Sequence, residues 1–220
     1  MIAAPSRVLA ADAAPTAAVE DLVVTAQKVE ENVQRVPIAV TAFSAERLGE
    51  SHVETIADLA RLTPSFTATV FNPAELNLTI RGIGSAEGVS QNAGGDPSVV
   101  VFVDGVYAGR GGVADIDAYN LARVEVLRGP QGTLFGKNAV GGLVQFVSAK
   151  PTNATSSRIN VTLGNYSRVD VNGYVNAPFS DKVFVTAGAS FKSRDGYEFN
   201  ESTGNRVNDE KLLTVQGALR

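Results

Sequence analysis

The last third of the chain alternates strictly between apolar and polar residues, and this pattern constrains the fold more than any other feature. A period of two places the apolar side chains on one face of a strand, because successive side chains point to opposite faces. The apolar positions fall in four groups: Ile159, Val161, Leu163; Val169, Val171, Val175; Val183, Val185, Ala187, Ala189, Phe191; and Leu213, Val215, Leu219. We therefore predict four strands of about 10 residues, each with one apolar and one polar face.

Two architectures use strands of this kind. A transmembrane β-barrel needs strands of about 9 to 11 residues that are joined alternately by short turns and long loops. Here the link from Ala177 to Lys182 is short, whereas the link from Ser193 to Glu210 is long and polar. A soluble β-sandwich produces similar alternation, and periodicity alone favours the sandwich.

The middle of the chain is predicted to form an α+β domain, with a mixed sheet, short helices and glycine-rich loops. Val36–Phe43 is predicted to be a strand that stops at Ser44, a good helix N-cap, and apolar spacing predicts a helix over Glu54–Leu62. The continuous apolar run within Ser98–Val103 indicates a strand that is covered on both faces. The other predicted strands are Leu76–Ile80, Leu121–Leu127 and Gly141–Val147.

Composition excludes several classes of function. The chain has 19 Lys and Arg against 23 Asp and Glu, so its net charge of -4 argues against a nucleic-acid partner. With no cysteine and a single histidine, His52, thiol catalysis, Cys-ligated zinc and most catalytic triads are excluded. The string Gly129–Asn138 lacks the P-loop spacing, and Asn138 stands where Ser or Thr must reach magnesium. We therefore predict no enzyme activity, no cofactor and no metal site.

The N-terminal 19 residues are predicted to be a disordered leader or the remnant of a signal region. They lack the apolar run of at least about 7 residues that a secretory signal requires, although Val8–Ala13 resembles the cleavage end of one. No window reaches the roughly 18 consecutive apolar residues of a transmembrane helix, so a membrane role must use strands or a partner.

Six strings then carry a resemblance to a known family. In chain order they are Glu20–Gln27 (EDLVVTAQ), Val36–Val40 (VPIAV), Asp58–Pro64 (DLARLTP), Leu78–Gly82 (LTIRG), Val101–Tyr107 (VFVDGVY) and Arg123–Gly136 (RVEVLRGPQGTLFG). In order and spacing they resemble the TonB box and plug domain of Gram-negative TonB-dependent outer-membrane receptors, and the last string is highly specific to that family. The alternating strands beyond Pro151 then resemble the start of the receptor's barrel, which replaces the sandwich.

The resemblance implies a domain organisation and a function. Residues 1–19 are the leader, 20–35 the TonB box and linker, 36–151 the plug domain, and 152–220 the first strands of a truncated barrel, so we expect a fragment truncated at both ends. The implied protein is an energy-coupled importer in the cell outer membrane, whose expected cargo is a ferric siderophore. Its implied partners are the TonB C-terminal domain, outer-membrane lipid, and a ferric chelate or other small nutrient. The alternative is a soluble periplasmic binding or interaction module in which the last strands form a small sheet.

The resemblance also implies functional residues. The TonB box is assigned to Asp21, Leu22, Val23, Val24, Thr25 and Ala26, an exposed segment expected to pair as an added strand with a partner's sheet edge. Arg81 and Arg128 resemble plug arginines that pair with barrel-wall glutamates, and Glu125 is predicted to be either a further plug-barrel contact or an internal partner. The weaker candidates for substrate binding are Ser85, Gln91, Asn92, Tyr107 and Arg110.

Overall fold

A mixed α+β region precedes an all-strand region in the computed structural model, which describes residues 22–53, 55–72, 75–84, 97–109 and 120–220. The first region contains β1 (Val23–Val24), β2 (Glu31–Asn32), β3 (Ala39–Ser44), α1 (Ala45–Glu50), α2 (Ile56–Leu62), β4 (Phe66–Asn72), β5 (Glu75–Ile80), β6 (Ile83–Gly84), β7 (Val99–Val103), β8 (Val106–Tyr107), β9 (Leu121–Arg128), α3 (Gly132–Phe135) and β10 (Gly142–Ser148). The second contains β11 (Ser156–Gly164), β12 (Arg168–Ser180), β13 (Val183–Arg194), β14 (Glu198–Asn200), β15 (Asn205–Val207) and β16 (Glu210–Leu219).

A five-stranded sheet in the order β3-β9-β10-β7-β8 forms the centre of the first region. Strand β10 runs parallel to β7 and antiparallel to β9, so the sheet is mixed, as predicted. Both of its faces bury apolar side chains, as the continuous apolar run of β7 predicts, and the second face also holds the buried polar residues Glu125 and Gln145. Each face therefore needs its own cover of apolar side chains.

Different segments cover the two faces. On the first face, Val124, Val126 and Val144 pack with Leu48 of α1, with Ile56 and Leu59 of α2 and with residues of β4 and β5. On the second face, Val100, Phe102, Leu127 and Leu143 pack with Val24, Ala26 and Ala139. The N-terminal segment is thus a structural part of the second face.

Local signals place helices α1 and α2 where the sequence predicts them. The Ser44 side chain accepts a hydrogen bond from the Arg47 N–H at the start of α1, and Thr55 and Asp58 form a capping box at the start of α2. Helix α2 begins at Ile56, two residues after the predicted Glu54, which lies outside the described residues. Asp104 (φ 50°) and Gly105 (φ 80°) form the tight turn between β7 and β8.

The second region is a four-stranded antiparallel sheet in the order β11-β12-β13-β16, with the β14-β15 hairpin inside the long polar link. Its four long strands confirm the predicted alternation. The apolar face is open: Ile159, Leu163 and Leu213 are 74%, 73% and 69% exposed. The polar face is partly covered, and its buried members are Asp170, Asn176, Thr186 and Ser190. Within the described ranges, no helix has the length and hydropathy that crossing a bilayer requires.

Gly142 gives a test of the central sheet. It begins β10 with a φ of 143°, and an added Cβ would lie 2.2 Å from the Leu127 carbonyl oxygen. We expect Gly142→Ala to destabilise this region by about 3 kcal/mol or more, because the new methyl group forces the β9-β10 pairing apart. The midpoint of denaturant-dependent protease resistance measures the effect.

Gly49→Ala is the matched control. Gly49 lies in α1 with open space around the added methyl group, so this change should stabilise by about 0.5–1 kcal/mol. Equal midpoints for the two variants would contradict the packing described at Gly142.

Candidate functional site

The N-terminal segment, residues 22–33, is a small hairpin that lies on the second face of the central sheet. Val23 pairs with Asn32 and Val24 with Glu31, and the Val33 N–H donates to the Leu22 carbonyl at 3.0 Å. The side chains of Val24 and Ala26 are 0% and 1% exposed within the cluster of the second face. Most of the predicted TonB box therefore lies in this docked hairpin.

Thr25 is the polar centre of the docked segment. Its backbone N–H donates to Glu125 Oε1 at 2.8 Å, and its hydroxyl lies 3.1 Å from the same oxygen. Arg123 Nη2 and Gln145 Nε2 each lie 3.2 Å from the Thr25 hydroxyl. A hydroxyl donates one hydrogen bond and accepts two, so these three contacts use its full capacity.

Glu125 is fully buried beneath this segment. Its Oε1 also accepts from Arg123 Nε at 2.7 Å, and its side chain is 0% exposed. Its Oε2 has no hydrogen-bond partner in the part of the chain that the structure describes. A buried carboxylate is costly without charge and hydrogen-bond compensation, and here Arg123 and Thr25 supply it.

The predicted exposure of the TonB box is therefore wrong for Val24 and Ala26. The physical reason is the apolar second face of the sheet, which these side chains cover. Val23 is exposed and Leu22 is half-buried, while Asp21 lies outside the described residues. Sequence reasoning missed the docking because Glu125 and Thr25 are 100 residues apart, and because no local pattern links them.

The position of Glu125 favours the second of its two predicted roles, that of an internal partner. Side chains alternate along β9, so Glu125 shares a face with Arg123 and Leu127, whereas Arg128 lies on the opposite side with Val124 and Val126. Glu125 contacts the N-terminal segment and not Arg128. It is buried inside the first region and does not contact the four-stranded sheet.

Arg81 and Arg128 lie close together in the first region. The Arg81 guanidinium lies beside Gly129, where an added Cβ would be 3.4 Å from Nη1. Arg128 Nη1 lies 3.4 Å from the Pro64 carbonyl, and its buried Nε has no hydrogen-bond partner among the described residues. Neither arginine forms an ion pair within the described ranges. Their pairing with glutamates of the barrel wall stays a prediction.

One of the five predicted substrate-binding residues, Tyr107, lies within the described ranges. Ser85, Gln91, Asn92 and Arg110 lie outside the described residues. Tyr107 lies on the edge strand β8, 42% exposed, with its ring 5.9 Å from the ring of Phe102.

A side-chain hydrogen bond joins the first region to the four-stranded sheet, and a second group of bonds holds the segment that connects them. Asn120 Nδ2 donates to Gln216 Oε1 at 3.2 Å, on the polar face of the sheet. Asn176 holds the connecting segment: its Oδ1 accepts from the Thr152 N–H at 3.0 Å and from the Thr186 hydroxyl, and its Nδ2 donates to the carbonyls of Thr152 and Ala154. The polar face of the sheet thus meets the plug.

A mixed sheet followed by long strands with an open apolar face is the arrangement expected of a TonB-dependent outer-membrane receptor. Comparison with known proteins agrees with this expectation. The model of the TonB-dependent receptor plug domain family matches residues 32–143. The chain belongs to this family. The predicted family and fold class are therefore confirmed.

Similar proteins extend the comparison. The iron-regulated outer membrane virulence protein of Vibrio cholerae is 26% identical over 199 residues, which are 85% of this chain and 30% of that protein. The ferrichrome outer membrane transporter/phage receptor of Escherichia coli is 29% identical over 147 residues, covering 65% of this chain and 18% of that protein. The ferric yersiniabactin uptake receptor FyuA of Yersinia pestis has the same fold, with a TM-score of 0.74 and 24% identity over 83% of this chain and 28% of the receptor.

The chain thus spans less than a third of the length of these relatives. The predicted localisation, the Gram-negative outer membrane, agrees with the names of the relatives.

Asn176 gives a test of the junction between plug and sheet. We expect Asn176→Ala to speed amide hydrogen exchange at residues 152–155 by about tenfold or more, because the variant removes the acceptor of the Thr152 N–H and leaves buried groups unpaired. Hydrogen-exchange mass spectrometry measures the effect. Asn172→Ala is the control on the same strand face, since its bond to Asn160 is exposed; exchange at 152–155 should not change. Similar exchange in both variants would contradict the proposed anchoring.

Proposed function

We propose that this chain is the plug and first barrel strands of an outer-membrane transporter that imports a scarce nutrient with energy from TonB. In this function the plug closes the barrel, and the TonB box (residues 21–26) transmits force from the inner membrane. The cargo we propose is a ferric siderophore. Two relatives with ferric siderophores in their names support this substrate class.

The observation that carries the proposal is the polarity of the four-stranded sheet. Soluble sheets bury their apolar face, yet here Leu163, Val215 and Leu219 are 73%, 72% and 75% exposed while Ser190 is 2% exposed. A barrel in lipid has this arrangement, with apolar side chains outward and polar side chains toward the lumen. In water, so large an apolar surface favours aggregation. The alternative, a soluble periplasmic module, is therefore disfavoured.

Strand pairing is a suitable mechanical link for this function. The β-branched residues Val23, Val24 and Thr25 favour an extended backbone, which can add to the edge of a partner's sheet. Several backbone hydrogen bonds would then bear the load together when the partner pulls along the chain. The partner in this proposal is the C-terminal domain of TonB.

We further propose that Arg81 and Arg128 pair with carboxylates on the barrel wall. The buried Nε of Arg128, which has no hydrogen-bond partner among the described residues, supports this role. A guanidinium binds a carboxylate in bidentate fashion, which offsets the cost of its burial. Such pairs would seat the plug in the barrel.

The substrate contacts belong to the same proposal. Tyr107, on an exposed edge strand, offers an aromatic surface, and Arg110 offers a guanidinium for an anionic ferric chelate. Ser85, Gln91 and Asn92 supply small polar groups from a neighbouring glycine-rich stretch of sequence. Loops on a rigid scaffold commonly carry such contacts.

Val24→Pro tests energy coupling. Proline removes a backbone donor and fixes φ, so the box can no longer pair fully as a strand. We expect energised uptake of the ferric chelate to fall to background in iron-limited cells while chelate binding to the cells is unchanged. Radioactive iron accumulation and binding at 4 °C separate the two quantities.

Val24→Ala is the matched control, because it shortens the same side chain but keeps the N–H. Uptake should persist in this variant. Persistent uptake in Val24→Pro would show that the box is misassigned.

Membrane integration gives a second test of the proposal. A β-barrel remains folded in cold detergent and unfolds on heating, so we expect the protein expressed from its own gene to show heat-modifiable gel mobility in outer-membrane fractions. A soluble, monomeric product in the periplasmic fraction would instead support the alternative.

A further inference from the structure

We propose that Glu125 is a positioning residue that holds the TonB box in a docked, unavailable state. In this state the carboxylate occupies the strand edge to which a partner strand would add. The box becomes available only after Thr25 leaves Glu125. The consequence for transport rests on the proposed function, whereas the docking itself is a property of the plug.

The edges of β1 carry the first step of the argument. The Leu22 carbonyl bonds to Val33, and backbone groups alternate between the two edges along a strand. Leu22 and Val24 therefore face β2, and the Thr25 N–H points to the opposite edge, where Glu125 Oε1 accepts it at 2.8 Å. A carboxylate oxygen thus takes the place that the carbonyl of an added strand would take. Docking and partner binding therefore exclude each other.

The chemistry of Thr25 makes this contact specific. Its hydroxyl donates to Glu125 and accepts from Arg123 and Gln145, so a valine of the same shape would leave three polar groups with a lost contact. Ala26, the next residue, is 1% exposed and cannot be reached from solvent while Thr25 is held. The exposure of Ala26 therefore reports whether the segment is docked.

The charge of Glu125 makes the contact strong. Hydrogen bonds to an ionised acceptor are about twice as strong as neutral ones, and one oxygen of Glu125 accepts from the Thr25 N–H, the Thr25 hydroxyl and Arg123 Nε. The amide oxygen of a glutamine offers the same lone pairs but lacks the charge, so each of the three hydrogen bonds is weaker. Glu125→Gln should therefore weaken docking while nearly preserving the side-chain volume.

Cysteine labelling tests the proposal, because the chain contains no cysteine of its own. Ala26→Cys is the reporter of docking. Val144→Cys, fully buried on the opposite face of the central sheet, is the reporter of folding. Outer membranes from cells that express the protein from its own gene are treated with a maleimide, and labelling rates are compared in the presence of Glu125, Glu125→Gln, Thr25→Val and Glu46→Gln.

We expect Glu125→Gln to speed labelling at Ala26→Cys by about tenfold, which corresponds to about 1.4 kcal/mol. Thr25→Val should act in the same direction, and Val144→Cys should stay protected throughout. The control Glu46→Gln removes the same charge from the exposed surface of α1 and should have no effect. Unchanged labelling of Ala26→Cys in both Glu125→Gln and Thr25→Val would overturn the proposal.

Two further outcomes are informative. If Glu125→Gln also exposes Val144→Cys, the plug has unfolded and Thr25→Val decides the question, because that variant leaves the Glu125-Arg123 ion pair in place. Labelling requires no TonB, so its failure is distinct from failure of the proposed function. If Glu125→Gln and Thr25→Val leave labelling of Ala26→Cys unchanged but Val24→Pro still blocks uptake, only the role of Glu125 is rejected.

Discussion

Both faces of the central sheet of the plug carry apolar side chains that must be buried, and the rest of the plug is arranged around this constraint. A sheet of this kind is stable in water only when both faces are covered. Two helices and a hairpin cover the first face, but the second face depends on a short N-terminal segment whose Val24 and Ala26 are buried. The segment proposed to couple the protein to its energy source is therefore also part of the hydrophobic core.

This double role explains why a charged residue lies beneath the segment. A purely apolar contact would hold the segment without a defined register, whereas Thr25 and Glu125 fix one register through hydrogen bonds whose directions are specific. The burial of Glu125 is costly, and part of its compensation comes from the segment itself. The docked state is consequently stable and ordered, yet it depends on a few contacts at one residue.

The two ends of the plug are held by similar means. At the N-terminal end, Thr25 makes four polar contacts with side chains of the central sheet, and at the C-terminal end, Asn176 binds the segment that leads into the four-stranded sheet. The difference lies in the surroundings. Asn176 belongs to a long strand paired on both sides, whereas Thr25 follows a strand of two residues. In the proposed function, the N-terminal contact would release first under load.

The elements of this protein were predictable from sequence wherever a local rule applied. The helix caps join residues three positions apart, Ser44 to Arg47 and Thr55 to Asp58, and the Asp104-Gly105 turn joins neighbouring residues. Strict alternation after Ser157 defines the long strands and their two faces. The docking of Thr25 on Glu125 and the approach of Arg81 to Gly129 were not predictable, because residues far apart in the chain meet there only after the sheet has formed. The sequence alone determined the first two helices, the inner strands of the central sheet, and the long late strands with their apolar faces, but not β4 or α3. Only the tertiary structure decided that the segment around Val24 and Ala26 covers the second face of the plug sheet, because the sheet needs a cover there and its own sequence does not specify which segment of the chain provides it.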